Sequence, residues 1–508
     1  MLSAQTVRGL YMPKRSSSVI FLVFMVILVN SLFPSLNLTD DLDLRNGLMI
    51  LPTFADYMNF NTASQAASSA IIWIGGAVIA PFGGLLLDRF GRKNGLLGAA
   101  MICFLGVSLQ GSAQNAAMFM VARFILGMGV GLSSIACPTY ASEVAPTKYR
   151  AWMLGFYYDI WYFGGLVAAV ITYGTARIPN TWAWRLPSLL QAIPSLLAIL
   201  LLPLVPESPR WLVAQGRGDE ALNVLAMVMA NGDASDPATL AAYDQIMGAI
   251  AYEQQNPAAQ SWFAAFKTPP NRKRTGLAMS VAVIGNLSGS AIASYWLGTM
   301  LSQAGITDAL SQLQINIVLN LWCLICAGAG TFFADKIGRK PLAMGSLTFS
   351  LAFLYLVGAF TKLYSSSTNK SAVYGTVACI FLFQGGYSFG WTTLLVMYPP
   401  EVLNFSLRAN GMGIYTFVSN SAAVFATFVM PFALNNIGWK TYMINASWDV
   451  VEVAFVAYYW VETRKRSLEE IDEIFEGPMH VHNATTMEGY ELEGTRTSEV
   501  DHGKQHKL

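Results

Sequence analysis

The chain has 508 residues, of which 54% are hydrophobic and 12% are charged, and its formal net charge is +1 at pH 7. Soluble proteins carry about 25% charged residues, so this composition excludes an ordinary soluble protein. The near-zero net charge excludes a broadly basic nucleic-acid binder.

Apolar stretches long enough to cross a bilayer recur along the whole chain. A spanning helix needs about 20 mostly apolar residues, and only helices satisfy their backbone polar groups within one segment. The sequence therefore predicts an all-α membrane protein with twelve transmembrane helices. The predicted spans are 18–38, 66–87, 95–112, 116–137, 152–174, 184–204, 276–301, 312–334, 341–360, 373–399, 409–432 and 440–461.

The basic residues are concentrated in alternate segments between the spans. Arg8, Lys14 and Arg15 precede the first span, and the connector 207–275 is also rich in Lys and Arg. Because positive charge collects on the cytoplasmic side of membrane proteins, we expect both termini to be cytoplasmic.

Three short motifs occur once in each half of the chain, in the same order and about 250 residues apart. A repeated order of this kind predicts two six-helix pseudo-repeats. The matching pairs are Asp88-Arg-Phe-Gly-Arg-Lys93 with Asp335-Lys-Ile-Gly-Arg-Lys340, Glu143 and Arg150 with Glu401 and Arg408, and Pro206-Glu-Ser-Pro-Arg210 with Val461-Glu-Thr-Arg-Lys465.

The charges of these motifs predict an inner-face network in which acids and bases pair across the seam between the two halves. The alternative is that they only signal topology and cap helices. Repeated acids favour pairing, because acids contribute little to topology. The network would contain Asp88, Arg92, Glu143, Arg150, Glu207, Arg210, Asp335, Arg339, Glu401, Arg408 and Glu462.

The motifs and spans divide the chain into five segments. The stretches 220–230 and 237–251 of the connector read as short amphipathic helices, the second starting at Asp236-Pro237. The segments are a tail 1–17, a first bundle 18–206, a linker 207–275, a second bundle 276–462 and a tail 463–508.

Taken together, the motifs resemble the sugar porter family of the major facilitator superfamily over residues 18–476. The resemblance rests on Gly84-x-x-x-Asp88-Arg-x-Gly-Arg-Lys93, Arg123-x-x-x-Gly127-x-Gly129-x-Gly131, Pro206-Glu-Ser-Pro-Arg210 and Glu462-Thr-x-x-x-Ser-Leu-Glu-Glu470. Within that family the chain is most similar to the fungal lactose and cellobiose permease branch, through Gly390-Trp391-Thr392 and Trp448-Asp449-x-x-Glu452.

The resemblance implies transport of a sugar or glycoside-like solute, but the hexose contacts are altered. Gly285-Asn286 stands where hexose carriers have a Gln pair, and Gly165 replaces the Gln of the fifth span. These smaller residues favour a di- or oligosaccharide over a hexose. The expected substrate-binding residues are Asn286, Ser290, Tyr295, Asn320, Trp391 and Asn420, which we expect to line a central cavity.

Arg123 is a charged residue inside the fourth span, and such residues are functional candidates because they are costly in a bilayer. Alignment with the family places Asp41 where proton-coupled members have an acid that pairs with this arginine. We therefore expect Asp41 and Arg123 to couple transport to protons. The alternatives are a static salt bridge or an outer acid cluster with Arg45. We interpret Asp449 and Glu452, on one face of the last span, as structural.

The sequence predicts a proton symporter in the plasma membrane that works as a monomer by alternating access. Its partners would be the solute, protons and lipid, with no cofactor, no metal, no nucleic acid and no enzymatic activity. A facilitative carrier or exporter of another polyol-like or secondary metabolite, and a sugar sensor that does not transport, stay open.

Overall fold

The computed structural model describes residues 16–34, 54, 57–255, 263–364, 370–403, 408–464, 471 and 474–475. Helices make up most of these residues. In chain order they are α1 Ser16–Pro34, α2 Thr62–Phe90, α3 Arg92–Gly111, α4 Ala116–Val144, α5 Thr147–Thr175, α6 Trp182–Leu190, α7 Ala192–Leu201, α8 Pro209–Ala214, α9 Gly218–Met229, α10 Pro237–Gln255, α11 Ala264–Lys267, α12 Pro269–Leu287, α13 Ser290–Gln303, α14 Ala309–Ile337, α15 Arg339–Tyr364, α16 Lys370–Val402, α17 Arg408–Ile437 and α18 Lys440–Tyr459.

Each of the twelve predicted spans corresponds to helical structure. Nine helical segments within the described ranges are long and apolar enough to cross a membrane. Helices α1 and α5 add the shorter apolar stretches Ser17–Val29 and Ile160–Thr175, and α18 follows as the last span. Two spans are not single helices, because the sixth consists of α6 and α7 and the seventh of α12 and α13.

The packing of the spans repeats between the two halves. Span four packs on spans two and three, as span ten packs on spans eight and nine, and span one packs on span five as span seven packs on span eleven. The halves meet where α2 packs on α17 and where α5 packs on α14. These two contacts are equivalent under the repeat, so the seam between the halves has pseudo-twofold symmetry.

The glycines of the fourth span explain how this helix packs on two neighbours at once. A Cβ at Gly131 would lie 2.7 Å from the Gly76 Cα of α2, and one at Gly127 would collide with the Ile72 carbonyl on the same helix. A Cβ at Gly129 would instead meet Cys103 of α3. The Gly-x-Gly-x-Gly spacing thus lets α4 approach α2 and α3 on opposite faces, as small residues do at membrane helix interfaces.

The connector contains the two helices expected from sequence, α9 and α10. Asp236 caps α10 as predicted, because its carboxylate accepts a hydrogen bond of 3.0 Å from the Thr239 amide. The short helix α8 begins with Pro209 and lies against α9 and α10.

Gly127→Ala should destabilise the protein by about 1–3 kcal/mol, the usual cost of overpacking, because the new methyl group has no space beside Ile72. Gly98→Ala on α3 is the matched control, since nothing lies within 4 Å of its Cβ position. Thermal unfolding of the detergent-purified variants measures both. Equal melting temperatures for the two variants would contradict the tight α2–α4 contact.

Candidate functional site

Side chains from both halves meet at the seam, halfway along the spanning helices. The Tyr162 hydroxyl of α5 lies 3.1 Å from the Thr392 Oγ1 of α16 and accepts a hydrogen bond of 2.8 Å from the Ser388 Oγ. Tyr162 is buried, and its ring packs in the hydrophobic core of the second half. One aromatic residue of the first half is therefore held by polar residues of the second.

The polar residues of α16 form a stripe that the sequence analysis missed. Gln384, Ser388 and Thr392 are four residues apart and share one helix face, and all three are buried. The Gln384 Nε2 donates to the Ser294 Oγ of α13 at 3.3 Å. Polar residues at i, i+4 and i+8 in an otherwise apolar span are the signal that would have found them.

The seventh span breaks in the middle of the bundle. Gly289 separates α12 from α13 with φ +81, in the left-handed region, and a side chain there would collide with Asn445. A helix end leaves carbonyls without partners in the helix, and donors from other spans reach two of them here. Tyr387 of α16 donates to the Gly285 carbonyl at 2.6 Å, and Asn445 of α18 donates to the Leu287 carbonyl at 2.9 Å.

Three of the predicted binding residues lie beside this break or on the seam. Asn286 donates to the Ser419 Oγ of α17 at 3.2 Å, and Ser290 starts α13 with its Oγ 3.4 Å from the Gly285 carbonyl. Asn420, the residue after Ser419, faces α2, since a Cβ at Gly76 would lie 3.3 Å from its side-chain amide. The structure thus brings Asn286 and Asn420 to the same region, on α12 and α17.

The other three predicted binding residues have different positions. Tyr295 lies on the seam, with its ring 6.5 Å from the ring of Trp73 on α2. The Asn320 amide donates to Asn316 one turn back on its own helix. Trp391 is fully buried in the second half, and its ring lies 5.6 Å from that of Trp460.

Arg123 is 1% exposed and lies inside the first half. Its Nη1 donates to the Ser68 carbonyl of α2 at 2.8 Å, and its guanidinium lies 4.9 Å from the centre of the Phe119 ring. Phe119 belongs to an aromatic cluster with Phe54 and Trp184. The arginine is therefore directed into the protein, with its guanidinium against the Phe119 ring. Asp41, its predicted partner, lies outside the described residues.

The repeated charges of the first half form a compact cluster at the end of the bundle that carries the basic loops. The Arg92 guanidinium pairs with Glu143 at 3.0 Å and with Asp88 at 3.0 Å. Ser208 donates its hydroxyl to the Glu143 Oε2, the oxygen that lies 3.0 Å from the Arg92 Nε. The Glu207 carboxylate accepts the Lys93 amide at 2.9 Å, where the helix dipole of α3 favours negative charge. We call these residues the first clamp.

The second half contains an equivalent cluster. Arg339 pairs with Glu401 at 2.7 Å, and the Thr463 hydroxyl donates to Glu401 at 2.6 Å. Glu462 accepts the Arg339 and Lys340 amides at 2.9 and 3.0 Å, at the start of α15. We call these residues the second clamp. Each clamp joins the turn between two spans to the ends of two further spans.

The clamps correct the expectation that these charges pair across the seam. The ion pairs that the structure describes for these motifs join residues of the same half, because the basic turn and its acids are adjacent within each bundle. Arg210 is half-buried on α8, next to the first clamp. The side chains of Arg150, Asp335 and Arg408 lie outside the described part of the chain.

Gly91 and Gly338 give each clamp its shape. Both have a positive φ, of 96 and 103, and a side chain at either would displace the carboxylate of Glu207 or Glu462. Only glycine permits the tight turn and the close approach of the acid together.

Comparison with known proteins covers nearly the whole chain. The family described as "Sugar (and other) transporter" matches residues 16–475. The high-affinity glucose transporter of Kluyveromyces lactis is 30% identical over 82% of this chain and 76% of its own. The major myo-inositol transporter IolT of Bacillus subtilis is 27% identical over 92% of this chain and 97% of its own.

Among solved structures, the chain is similar to the proton:xylose symporter XylE bound to 6-bromo-6-deoxy-D-glucose. The TM-score is 0.74 at 21% identity, covering 91% of this chain and 100% of the other. This likeness confirms the predicted fold of twelve spans in two six-helix repeats. The relatives named above are transporters, in agreement with the expectation that the chain is not an enzyme.

Glu401→Gln should lower the stability by about 1–3 kcal/mol, because it leaves the nearly buried Arg339 guanidinium without its charged partner. The Arg339 and Glu401 side chains are 8% and 27% exposed. Glu220→Gln is the matched control, since the side chains of its pair with Arg217 are 42% and 47% exposed and such surface pairs contribute about 0–1 kcal/mol. Thermal unfolding measures the stability of both variants. An equal loss of stability in the two would refute a stabilising role of the Arg339–Glu401 pair.

Proposed function

Because the chain belongs to the sugar (and other) transporter family, we propose that it carries a sugar or related polyol across the membrane by alternating access, together with a proton. The observation that supports the proton step is the burial of Arg123, 1% exposed, within the first half. A buried guanidinium needs an anionic or polar neighbour, and Asp41 is the acid that the family resemblance assigns to it.

The proton step follows from the electrostatics of such a pair. A carboxylate beside a guanidinium stays ionised, and a carboxylate that loses this neighbour in a low-dielectric site takes up a proton. If the rocking of the two halves changes the distance between Asp41 and Arg123, the acid binds a proton on one side of the membrane and releases it on the other. Solute would bind at the seam, where Asn286, Asn420 and the polar stripe of α16 provide hydrogen-bond partners.

The two repeats provide the moving parts of the transporter. Each clamp fixes the ends of several spans within one half, which favours movement of each half as a unit. The break in the seventh span supplies a hinge beside the solute, in the manner of the discontinuous helices of other transporters.

The proposal includes both hexoses and larger sugars. The altered hexose contacts favour a di- or oligosaccharide, whereas the relatives named above are carriers of glucose and myo-inositol. We further propose the plasma membrane as the location, with both termini in the cytoplasm and a monomer as the working unit.

Uptake into a yeast strain that lacks hexose and disaccharide carriers tests the function. Labelled glucose, xylose, myo-inositol, lactose, cellobiose and maltose are supplied with and without a protonophore. Accumulation that the protonophore abolishes supports symport. Equilibration that is insensitive to the protonophore would instead identify a facilitative carrier, and binding without uptake a sensor.

Asp41→Asn and Arg123→Gln should both abolish accumulation, because each removes one member of the proposed proton-binding pair. Asp41→Asn should still exchange labelled for unlabelled sugar, since exchange needs no net proton movement. The comparison of accumulation with counterflow in the same vesicles measures this. Unchanged accumulation in Asp41→Asn would remove this residue from the coupling role.

Asn420→Ala should raise the KM for the transported sugar roughly three- to tenfold, the effect of losing one hydrogen bond. Ser421→Ala is the matched control, because Ser421 is exposed and donates to the Phe417 carbonyl on its own helix. Initial uptake rates over a range of sugar concentrations give both values. The same KM in Asn420→Ala and Ser421→Ala would exclude Asn420 from the binding site.

A further inference from the structure

Two acidic residues lie side by side in the last span, away from Arg123. Asp449 and Glu452 are one turn apart on α18 and are 1% and 3% exposed. They are close enough for their charges to interact. The sequence alone favours a structural role for both residues, whereas their surroundings in the structure indicate that they also bind a proton.

Neither carboxyl is neutralised by its described neighbours. Among the residues that the structure describes, neither oxygen of Asp449 has a hydrogen-bond partner, and the Glu452 Oε2 has none either. The Glu452 Oε1 accepts one hydrogen bond, from the Trp448 indole at 2.6 Å. An ionised carboxylate in such a position would be both desolvated and uncompensated.

The helices packed against this part of α18 bring no described cation to the pair. The lysines and arginines of these helices lie near the helix ends, at Arg272, Lys273, Arg274, Arg339, Lys340, Lys362, Lys370 and Arg408. The tyrosines have other partners: Tyr355 interacts with Ser447, Tyr387 donates to the Gly285 carbonyl and Tyr415 donates to the Leu395 carbonyl. Two carboxylates that share a site without a cation cannot both stay ionised.

The same face of α18 contacts the break in the seventh span. Asn445, Asp449 and Glu452 follow each other at i, i+4 and i+7 and lie on one side of the helix. Asn445 donates to the Leu287 carbonyl. Glu452 lies within electrostatic range of the Tyr387 hydroxyl, which holds the Gly285 carbonyl. The acid pair therefore adjoins both donors that satisfy the broken helix.

We propose that Asp449 and Glu452 form a proton-binding site in the second half, separate from Asp41 and Arg123, whose proton holds α18 against the broken seventh span. With the proton bound, the pair carries at most one negative charge and the contact through Asn445 and Tyr387 is stable. Loss of the proton places two like charges beside the break and loosens it. This inference rests on the proposed function only in taking the seventh span to move during transport.

Infrared spectroscopy of the purified, reconstituted protein tests the site without any substrate. The C=O stretch of a protonated carboxyl should be present at neutral pH, above the ordinary range of carboxyl groups, and should disappear as the pH is raised further. Asp449→Asn and Glu452→Gln should each change this band, and the double variant should lose the component. Glu220→Gln, an exposed linker acid, should leave it unchanged.

Thermal unfolding over the same pH range gives a second readout. The wild type should lose stability as the pH rises, because ionisation of the Asp449 and Glu452 carboxyls is unfavourable in the folded state and not in the unfolded state. The double amide variant should lose less stability over this pH range, because its amides resemble the protonated pair in shape and charge. If the double variant does not fold, Glu452→Gln alone should still flatten the dependence by removing the like charge.

Three results would overturn the proposal. The first is an infrared spectrum in which the wild type and the double variant are the same at every pH. The second is a band that sodium removes at constant pH, which would make the pair a sodium site. The third is an unchanged pH dependence of stability in Asp449→Asn and Glu452→Gln. None of these readouts depends on sugar uptake, so the failure of proton symport through Asp41 would be recognised separately.

Discussion

Backbone N–H and C=O groups inside a bilayer need hydrogen-bond partners. The broken seventh span shows how this requirement is met where a helix is interrupted. An uninterrupted helix satisfies its own carbonyls, but the break at Gly289 frees those of Gly285 and Leu287. Donors from two other spans, Tyr387 and Asn445, replace the lost bonds. These two bonds connect α12 to α16 and α18 at the break.

The two halves share their clamps and differ in their polar interiors. The pair of Arg92 with Glu143 and the pair of Arg339 with Glu401 occupy equivalent positions in the two repeats, because both repeats need a tight turn and fixed helix ends. The first half buries a cation, Arg123, against the Phe119 ring, whereas the second half buries two acids in its last span. The two repeats therefore share the residues that fix their helix ends, but their buried charged residues have opposite signs.

The contacts described here between the two halves join uncharged side chains. Tyr162 interacts with Ser388 and Thr392, Trp73 contacts Tyr295, and Asn420 faces Gly76. Such contacts are weaker than the ion pairs of the clamps. A difference of this kind suits two rigid bundles that separate and rejoin, since the interface between them must be broken at low cost while each bundle keeps its shape.

The sequence by itself determined the number of spans, the repeat and the turns, because hydrophobic length and short motifs such as Asp88–Lys93 are local properties. It also identified Arg123 as buried, because a charged side chain within an apolar span is stable only when it is directed away from lipid. Only the tertiary structure decided which residues meet. The clamps lie within each half, Trp391 belongs to a core, and the stripe Gln384, Ser388 and Thr392 lies on the seam. These facts depend on how each helix is rotated about its own axis. Packing against the neighbouring helices fixes that rotation. Hydrophobicity alone does not define it, because a span that is apolar on all sides has no preferred face.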